Sequence, residues 1–549
     1  MSDTNNGDPV GPGSPPPPIG SYEYLSPADD PTTFGTPPVP PRTPRRTSWI
    51  AATVAMALLV GGGVAVARAL AGDGAQPDDV LPSDVVAAVR LDTDPPAGQK
   101  LAVAQLANRF KDSGVTDDED PIGQLLEKFL GNVSGKSYAT DIKPWVDKRA
   151  AVALRLDPSN PENLAKAYPL VVVAYRDEEA LRSRIDKLIR SGSGRPAGFV
   201  IADGFVTFSD TTAHAQASVL ASRTAPLSQS PAYKSAFDKV GADSVVFGWV
   251  ALGRIYEKVS KQFAALSALT GRSSSPLSAL GSTKVDPDAS VSFALRAGSN
   301  YAEMQIDAYR LDSSSVLSAS SLGERFTQLP ADSAVAVGLA GLDRGVSRAL
   351  DQADELLAAS GTFRNQPGGA TERVPSSLDD LLDKAGLTRS SITTIVGTEV
   401  VGALDGSLGG ALSVTTSDAE GAVSAITKAL RAIGAQSKGS FDAESVLDQL
   451  HLTTTPTGYA VGTAPGAVAK VAAGAPPYLG DDAVFATALP NAANSTFALY
   501  ANLDKMDESL RAKLTGGSTD SPLQQVQAVG IGASHKDDTT EIRIRVVIR

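Results

Sequence analysis

Apolar and polar positions alternate in short runs along most of this chain, and one stretch breaks that pattern. From Trp49 to Ala67 no charged residue interrupts a run of aliphatic and small side chains. A helix over it, at ~1.5 Å of rise per residue, spans close to the roughly 30 Å of hydrocarbon in a bilayer. Arg42, Arg45 and Arg46 precede the run, whereas Arg68 is followed by Asp73, Asp78 and Asp79. Positive charge beside a first helix stays on the cytoplasmic side. The expectation is a transmembrane signal anchor over 48–71, with a cytoplasmic tail at 1–47 and a large extracytoplasmic ectodomain. A cleaved export signal is the rival, since Ala69-Leu70-Ala71 has the small-x-small pattern, but the run exceeds the ~7–15 residues of a signal core. Gly61 to Gly63 with Ala65 and Ala67 give small-xxx-small spacing, which permits a homodimer through the membrane helix.

Beyond residue 80 the hydrophobic period switches repeatedly between two and 3.6, and the order of the segments returns once, the mark of a duplication. Leu81-Pro82-Ser83-Asp84 and a strand through Leu91 are answered by Leu329-Pro330-Ala331-Asp332 and a strand through Leu339. Pro121 to Phe129 reads as a helix, answered by Leu378 to Ala385. Strand, aspartate, helix over Val173 to Ile189, with Asp177 at the boundary, is answered over Val414 to Leu430 with Asp418. An aspartate there caps the helix amides. Asp203-Gly204 between two strand-like runs predicts a tight hairpin, with Thr457-Gly458 in the same place of the second copy. Ala242-Asp243-Ser244 and the run to Trp249 align without gaps to Ala493-Asn494-Ser495 and Tyr500. Ile542 and Ile544 alternate with Arg543 and Arg545, predicting a half-buried strand whose arginines face water. The fold expected is α+β: two tandem related modules, 80–312 and 328–549, with largely antiparallel sheets and flanking helices. Linkers are expected at 72–79 and 313–327.

An anchor run after a Pro-rich tail, then Leu-Pro-Ser-Asp, a strand ending in Arg90-Leu91-Asp92, and Ala97-Gly98-Gln99-Lys100-Leu101 resemble actinobacterial membrane-anchored proteins grouped as domain of unknown function 3352. The resemblance implies similarity over essentially all of the ectodomain. It implies no activity, ligand or site residue.

Composition narrows the chemistry. With no cysteine there is no disulfide, thiol nucleophile, thiolate zinc site or lipidated cysteine, so the membrane helix is the anchor. The three histidines, His214, His451 and His535, have no second histidine at ligand spacing. A net charge of -12 argues for solubility and against nucleic acid as a partner. The tail at 1–47 has little to bury and is expected to be disordered, with Pro37 to Arg42 sampling polyproline II and Thr43, Thr47 and Ser48 beside arginines as phosphate acceptors.

No catalytic constellation stands out. Gly131-Asn132-Val133-Ser134-Gly135-Lys136-Ser137 is one residue short of a phosphate-binding loop, and it follows a helical stretch instead of a strand. Nucleophile elbows, metalloprotease helices and dinucleotide turns are missing. Asp117 to Asp120 precede Pro121, where negative charge favours a helix N-terminus. Asp92 with Asp94, and Asp286 with Asp288, lack the glycine and distal glutamate of a calcium loop. Trp145, Trp249 and Tyr500 read as core aromatics more than as a ligand platform. The expectation is a non-enzymatic envelope protein that holds an unknown ligand or protein partner outside the cell, with no cofactor, metal or catalytic residue. The alternatives are an envelope or cell-wall hydrolase using carboxylates such as Asp84, Asp177 or Asp243, and signal relay through the tail.

Overall fold

A computed structural model describes residues 75–92, 96–109, 144–160, 163–190, 198–258, 285–311, 320–361, 377–407, 409–436, 442–515 and 522–549. The Trp49–Ala67 run, the tail at 1–47, the short glycine loop 131–137, the acidic run 117–120 and the Pro121–Phe129 stretch lie outside the described residues. Among the described residues no helix is long and apolar enough to cross a membrane.

The chain is α+β, and its strands form one antiparallel sheet where the sequence suggested separate ones. The first eight strands are β1 (Val85–Asp92), β2 (Val146–Arg155), β3 (Tyr168–Tyr175), β4 (Gly198–Ala202), β5 (Phe205–Ser209), β6 (Val246–Val250), β7 (Ser290–Ala297) and β8 (Tyr301–Tyr309). The next eight are β9 (Val335–Ala340), β10 (Glu399–Leu404), β11 (Gly410–Thr415), β12 (His451–Thr455), β13 (Gly458–Gly462), β14 (Phe497–Asn502), β15 (Val526–Lys536) and β16 (Thr539–Ile548). The sheet runs β12-β13-β11-β10-β9-β14-β15-β16-β8-β7-β6-β1-β2-β3-β5-β4. Read outward from the β8–β16 seam, both halves have the same order. The seam joins equivalent strands: Tyr301–Tyr309 corresponds to Thr539–Val547, while Tyr301 pairs with Val547 and Tyr309 with Thr539. Gln305 therefore lies opposite its own counterpart, Arg543, and a pseudo-twofold relation passes through that pair.

Local chemistry explains the matching punctuation. Asp177 Oδ1 accepts the Ala180 amide at 2.9 Å, and Asp418 Oδ1 accepts the Gly421 amide at 2.8 Å, each at the start of a helix, Glu178–Arg190 and Ala419–Gln436. Asp203 and Gly204 have φ of 56° and 81°, as a two-residue hairpin turn demands. The second copy differs from expectation here. Its turn is Pro456-Thr457, and Gly458 already belongs to β13, where a Cβ would stand 1.9 Å from the Val414 carbonyl oxygen.

The two faces of the sheet are unlike. One carries two apolar cores. In the first half Ala88, Leu170, Phe247 and Trp249 pack under Leu227, Tyr233 and Val240; in the second, Ala336, Val401, Ala498 and Tyr500 pack under Phe326, Phe485 and Leu489. Between those cores, at the seam, the same face is polar. The other face has no such break. A single register row crosses it as Val414, Val400, Leu339, Phe497, Ala533, Ile542, Ile306, Phe293, Gly248, Val89, Val152, Val171, Phe208 and Phe199. Most of those aliphatic side chains are only half-buried. Helices cover parts of this face too: Glu178–Arg190 packs Leu181 and Ile185 with Phe199 and Phe208, Ala419–Gln436 packs Ala422 and Ile426 with Val400 and Val414, and Ala97–Arg109 sets Val103 and Leu106 on Ala297 and Ile548, with Gln99 bonded to both backbone groups of Ala297.

This arrangement reverses the reading of β16. Arg543 and Arg545 lie on the covered side, their side chains 25% and 13% exposed, and Ile542 and Ile544 on the half-exposed one. Periodicity shows that the two sets part; which side is roofed depends on distant helices.

Candidate functional site

The polar part of the covered face is built on the seam. Glu303 of β8 is 5% exposed and receives Arg296 Nη1 at 3.0 Å on one oxygen and Arg545 Nε at 2.6 Å on the other. Burial pushes its carboxyl up, but the bonds and charges of Arg545, Arg543 and Arg296 outweigh that and hold it below the usual carboxylate range. Arg296 also donates to the Val240 carbonyl, and Arg545 donates to the Thr487 carbonyl at 3.0 Å with its guanidinium 4.2 Å from the Tyr301 ring centre. Both halves' roofs are thus tied to the same buried glutamate. Gln305, on the pseudo-twofold, accepts from Arg296 Nη1 at 2.8 Å and donates to Asp307 Oδ1 at 2.9 Å.

Symmetry makes the far side of this network acidic. Glu303 corresponds to Glu541 and Arg545 to Asp307, so where Glu303 pairs with Arg545, Glu541 faces Asp307 across the seam. Glu541 is satisfied by Arg543 Nη2 at 2.8 Å. Asp307 has no such guanidinium. It is 8% exposed, and burial raises its pKa against the pull of the Gln305 bond and of Lys239, Arg296 and Arg543.

Asp307 lines a cavity of about 310 Å³ between β7–β8 and the helix Pro231–Ala236 with its π-turn extension Phe237–Gly241. Ser290, Ser292, Asp307, Tyr309 and Thr539 form the floor, and Lys239 reaches in from the roof. Ser290 and Ser292 are 5% and 4% exposed. The Arg310 charge at the rim is met by Asp288 at 3.3 Å and by Asp538 at 3.5 Å. Lys239 makes no ion pair among the described residues; its ammonium stands 5.5 Å from the Tyr309 ring centre.

The counterpart in the second half is filled. Ser290, Ser292 and Asp307 become Ala528, Gly530 and Arg545, and the helix Ala483–Ala488 sits down on the strand. A Cβ on Gly530 would be 2.3 Å from the Ala488 carbonyl oxygen. The large depression of that half lies elsewhere, along Glu324, Tyr478, Ala486 and Asn491, and is open to solvent.

The candidates read from the sequence fall at separate places. Asp84 pairs with Arg155 at 2.8 Å, its counterpart Asp332 with Lys470 at 2.6 Å, Asp177 and Asp418 cap helices, and Asp243 is exposed beside a helix end. Asp92 is buried against Arg90, which also holds Asp78 and lies over the Phe237 ring. Asp286 accepts the Asp288 amide at 2.8 Å, a turn. Trp145, Trp249 and Tyr500 are buried in three different clusters. His214 stacks on Tyr168 at 4.0 Å, His535 bonds Thr540, and His451 opens β12. Among the described residues no three acidic, histidine or cysteine side chains are grouped to hold a metal. Sequence reasoning missed Lys239, Ser290, Ser292 and Asp307. The signal available was the unbroken polar set Glu303, Gln305, Asp307 on one side of a strand, which reads as a wet face until a roof is placed over it.

Residues 49–198 match the family model described as Protein of unknown function (DUF3352). The match covers the apolar run Trp49–Ala67 and the first half as far as the start of β4, where the resemblance had implied nearly everything beyond residue 80. No curated protein matches the chain. Two solved structures are similar in part: "Structure of crystal form III of TP0453", at 10% identity over 44% of this chain and 81% of that one with a TM-score of 0.22, and "Structure of crystal form I of TP0453", at 9% identity over 43% and 80% with a TM-score of 0.19.

Proposed function

We propose that the chain is a non-catalytic binding protein tethered to the cell membrane by 48–71, with 1–47 inside and the modules outside. Its binding surface is the middle of the sheet's apolar face, between the helices Ala419–Gln436 and Glu178–Arg190, and its ligand is the hydrocarbon part of an envelope lipid. One observation carries this reading. The part of the row from Leu339 to Val171, between the helices that cover its two ends, stays apolar across both halves while most of its side chains are only half-buried, and the charges of the same strands go beneath the opposite roof. Contiguous apolar surface on that scale marks an interaction site. The source of ligand is close. Seven residues separate Ala67 from the first described residue, Ala75, and an extended chain of that length reaches only ~25 Å. Dispersal of the aspartates to separate element ends supports binding over hydrolysis.

The test is to express residues 72–549, extract the purified protein with organic solvent and identify lipids by mass spectrometry, beside an Ile306→Asp/Ile542→Asp variant with unchanged circular dichroism. Lipid in the parent and its loss in the variant is the expected result. A parent that carries no lipid and binds no fluorescent fatty acid would refute the proposal.

A further inference from the structure

An acid and a base share the cavity under Lys239 without meeting. Asp307 Oδ1 is taken by Gln305 at 2.9 Å, whereas no described residue donates to Oδ2 or bonds the hydroxyls of Ser290 and Ser292. All three residues are less than a tenth exposed and lie on the cavity lining, so these polar atoms face its space without protein partners. Glu541, the neighbour across the seam, is another carboxylate, so the position calls for positive charge. Lys239 is the only other charge on the lining whose partner is not already supplied: Arg310 and Asp288 neutralise one another at the rim. The filled second half shows what meets the demand when the protein does so itself. There Arg545 stands in the place of Asp307 and is satisfied by Glu303, Thr487 and the Tyr301 ring.

We propose that this cavity binds a small zwitterion of amino-acid or dipeptide size, its ammonium on Asp307, Ser290 and Ser292 and its carboxylate on Lys239. A volume of about 310 Å³ is at the lower end of the range for small-molecule sites and suits a ligand of a few to a dozen heavy atoms. Two ends of opposite charge fix its orientation, and each end fails if its charge is masked. Because the cavity opens on the roofed side, the proposal stands or falls separately from hydrocarbon binding on the other face.

The experiment uses the full chain in detergent, titrated calorimetrically with L-alanyl-L-alanine, its N-acetyl derivative and its C-terminal amide. Saturable binding of the dipeptide is expected, weakened tenfold or more by either modification. In Asp307→Asn the dipeptide and its N-acetyl form should bind alike; in Lys239→Met the dipeptide and its amide should. Lys239 lies at the roof and its variant serves if Asp307→Asn does not fold. No heat with any of the three ligands, equal affinity for all three, or binding untouched by Lys239→Met would overturn the proposal.

Discussion

Under the helix Pro231–Ala236 the sheet presents Ser290, Ser292 and Asp307; under its counterpart Ala483–Ala488 it presents Ala528, Gly530 and Arg545. The strand order is identical on the two sides, and the difference lies in what fills the space between strand and roof. In the second half small residues let the helix settle onto the strand and an arginine is cancelled by Glu303. In the first, serines and a π-turn hold the roof off and leave a carboxyl unmatched. A duplicated sheet thus lets one copy serve as closed scaffold while the other keeps a vacancy, with the seam network fastening both roofs to one residue.

The contrast can be broken most severely at Glu303. Glu303→Ala leaves Arg296 and Arg545 without their carboxylate on the covered face and should cost ~3–5 kcal/mol in urea unfolding, as removal of one member of a buried ionic network does. Its counterpart Glu541, 34% exposed, should cost less than ~1 kcal/mol on the same change. Next, Gly530→Ser gives the second half a residue of the first; with a Cβ forced against the Ala488 carbonyl, a loss of about 1–3 kcal/mol is expected, and Ser292→Gly should cost no more than ~1 kcal/mol. Both are read by the shift in denaturation midpoint. The caps sharpen the likeness instead. Asp177→Ala and Asp418→Ala should each cost about 1 kcal/mol and agree with one another.

The smallest effect separates the halves by pH. Asp307 has a raised pKa in the fold, so its contribution to stability is present below the usual aspartate value and is lost as pH rises through the raised one. Gln305, Lys239, Arg296, Arg543 and Glu541 are the groups that face it. Asp307→Asn should match the parent in acid and exceed it at neutral pH. Glu303 runs the other way: its lowered pKa gives stability that is present above its ordinary value and lost as pH falls through the lowered one. Unfolding curves of parent, Asp307→Asn and Glu303→Gln across pH 3 to 7 would show the opposed slopes, and parallel curves would contradict them.

Much of the order of elements along the chain was legible, because part of the punctuation is local. Asp177 and Asp203-Gly204 act through their own neighbours' backbone and so announce their boundaries; Leu81-Pro82-Ser83-Asp84 recurs for another reason, a distant contact kept in both copies, Leu81 and Ser83 with Leu227 and Ala225, Leu329 and Ala331 with Leu479 and Pro477. The joining of the halves was not legible, since nothing within β8 or β16 says that an edge meets its equivalent. The Pro456-Thr457 turn was misplaced by one residue because Gly458 is required by a close approach to Val414, a contact across strands. Above all, alternation in β8 and β16 tells which residues share a side and leaves open which side is roofed. For that reason Arg543, Arg545 and Asp307 were assigned to water or passed over.

The seam also has an order in time. Strand β8 is made early, and its partner β16 follows only after all the strands between them. Until then the first half carries a bare hydrogen-bonding edge with Glu303 on it and neither Arg543 nor Arg545 to meet its charge, the kind of edge that recruits a second chain. A chaperone need, or a tendency to swap seams between copies, would be confined to that interval.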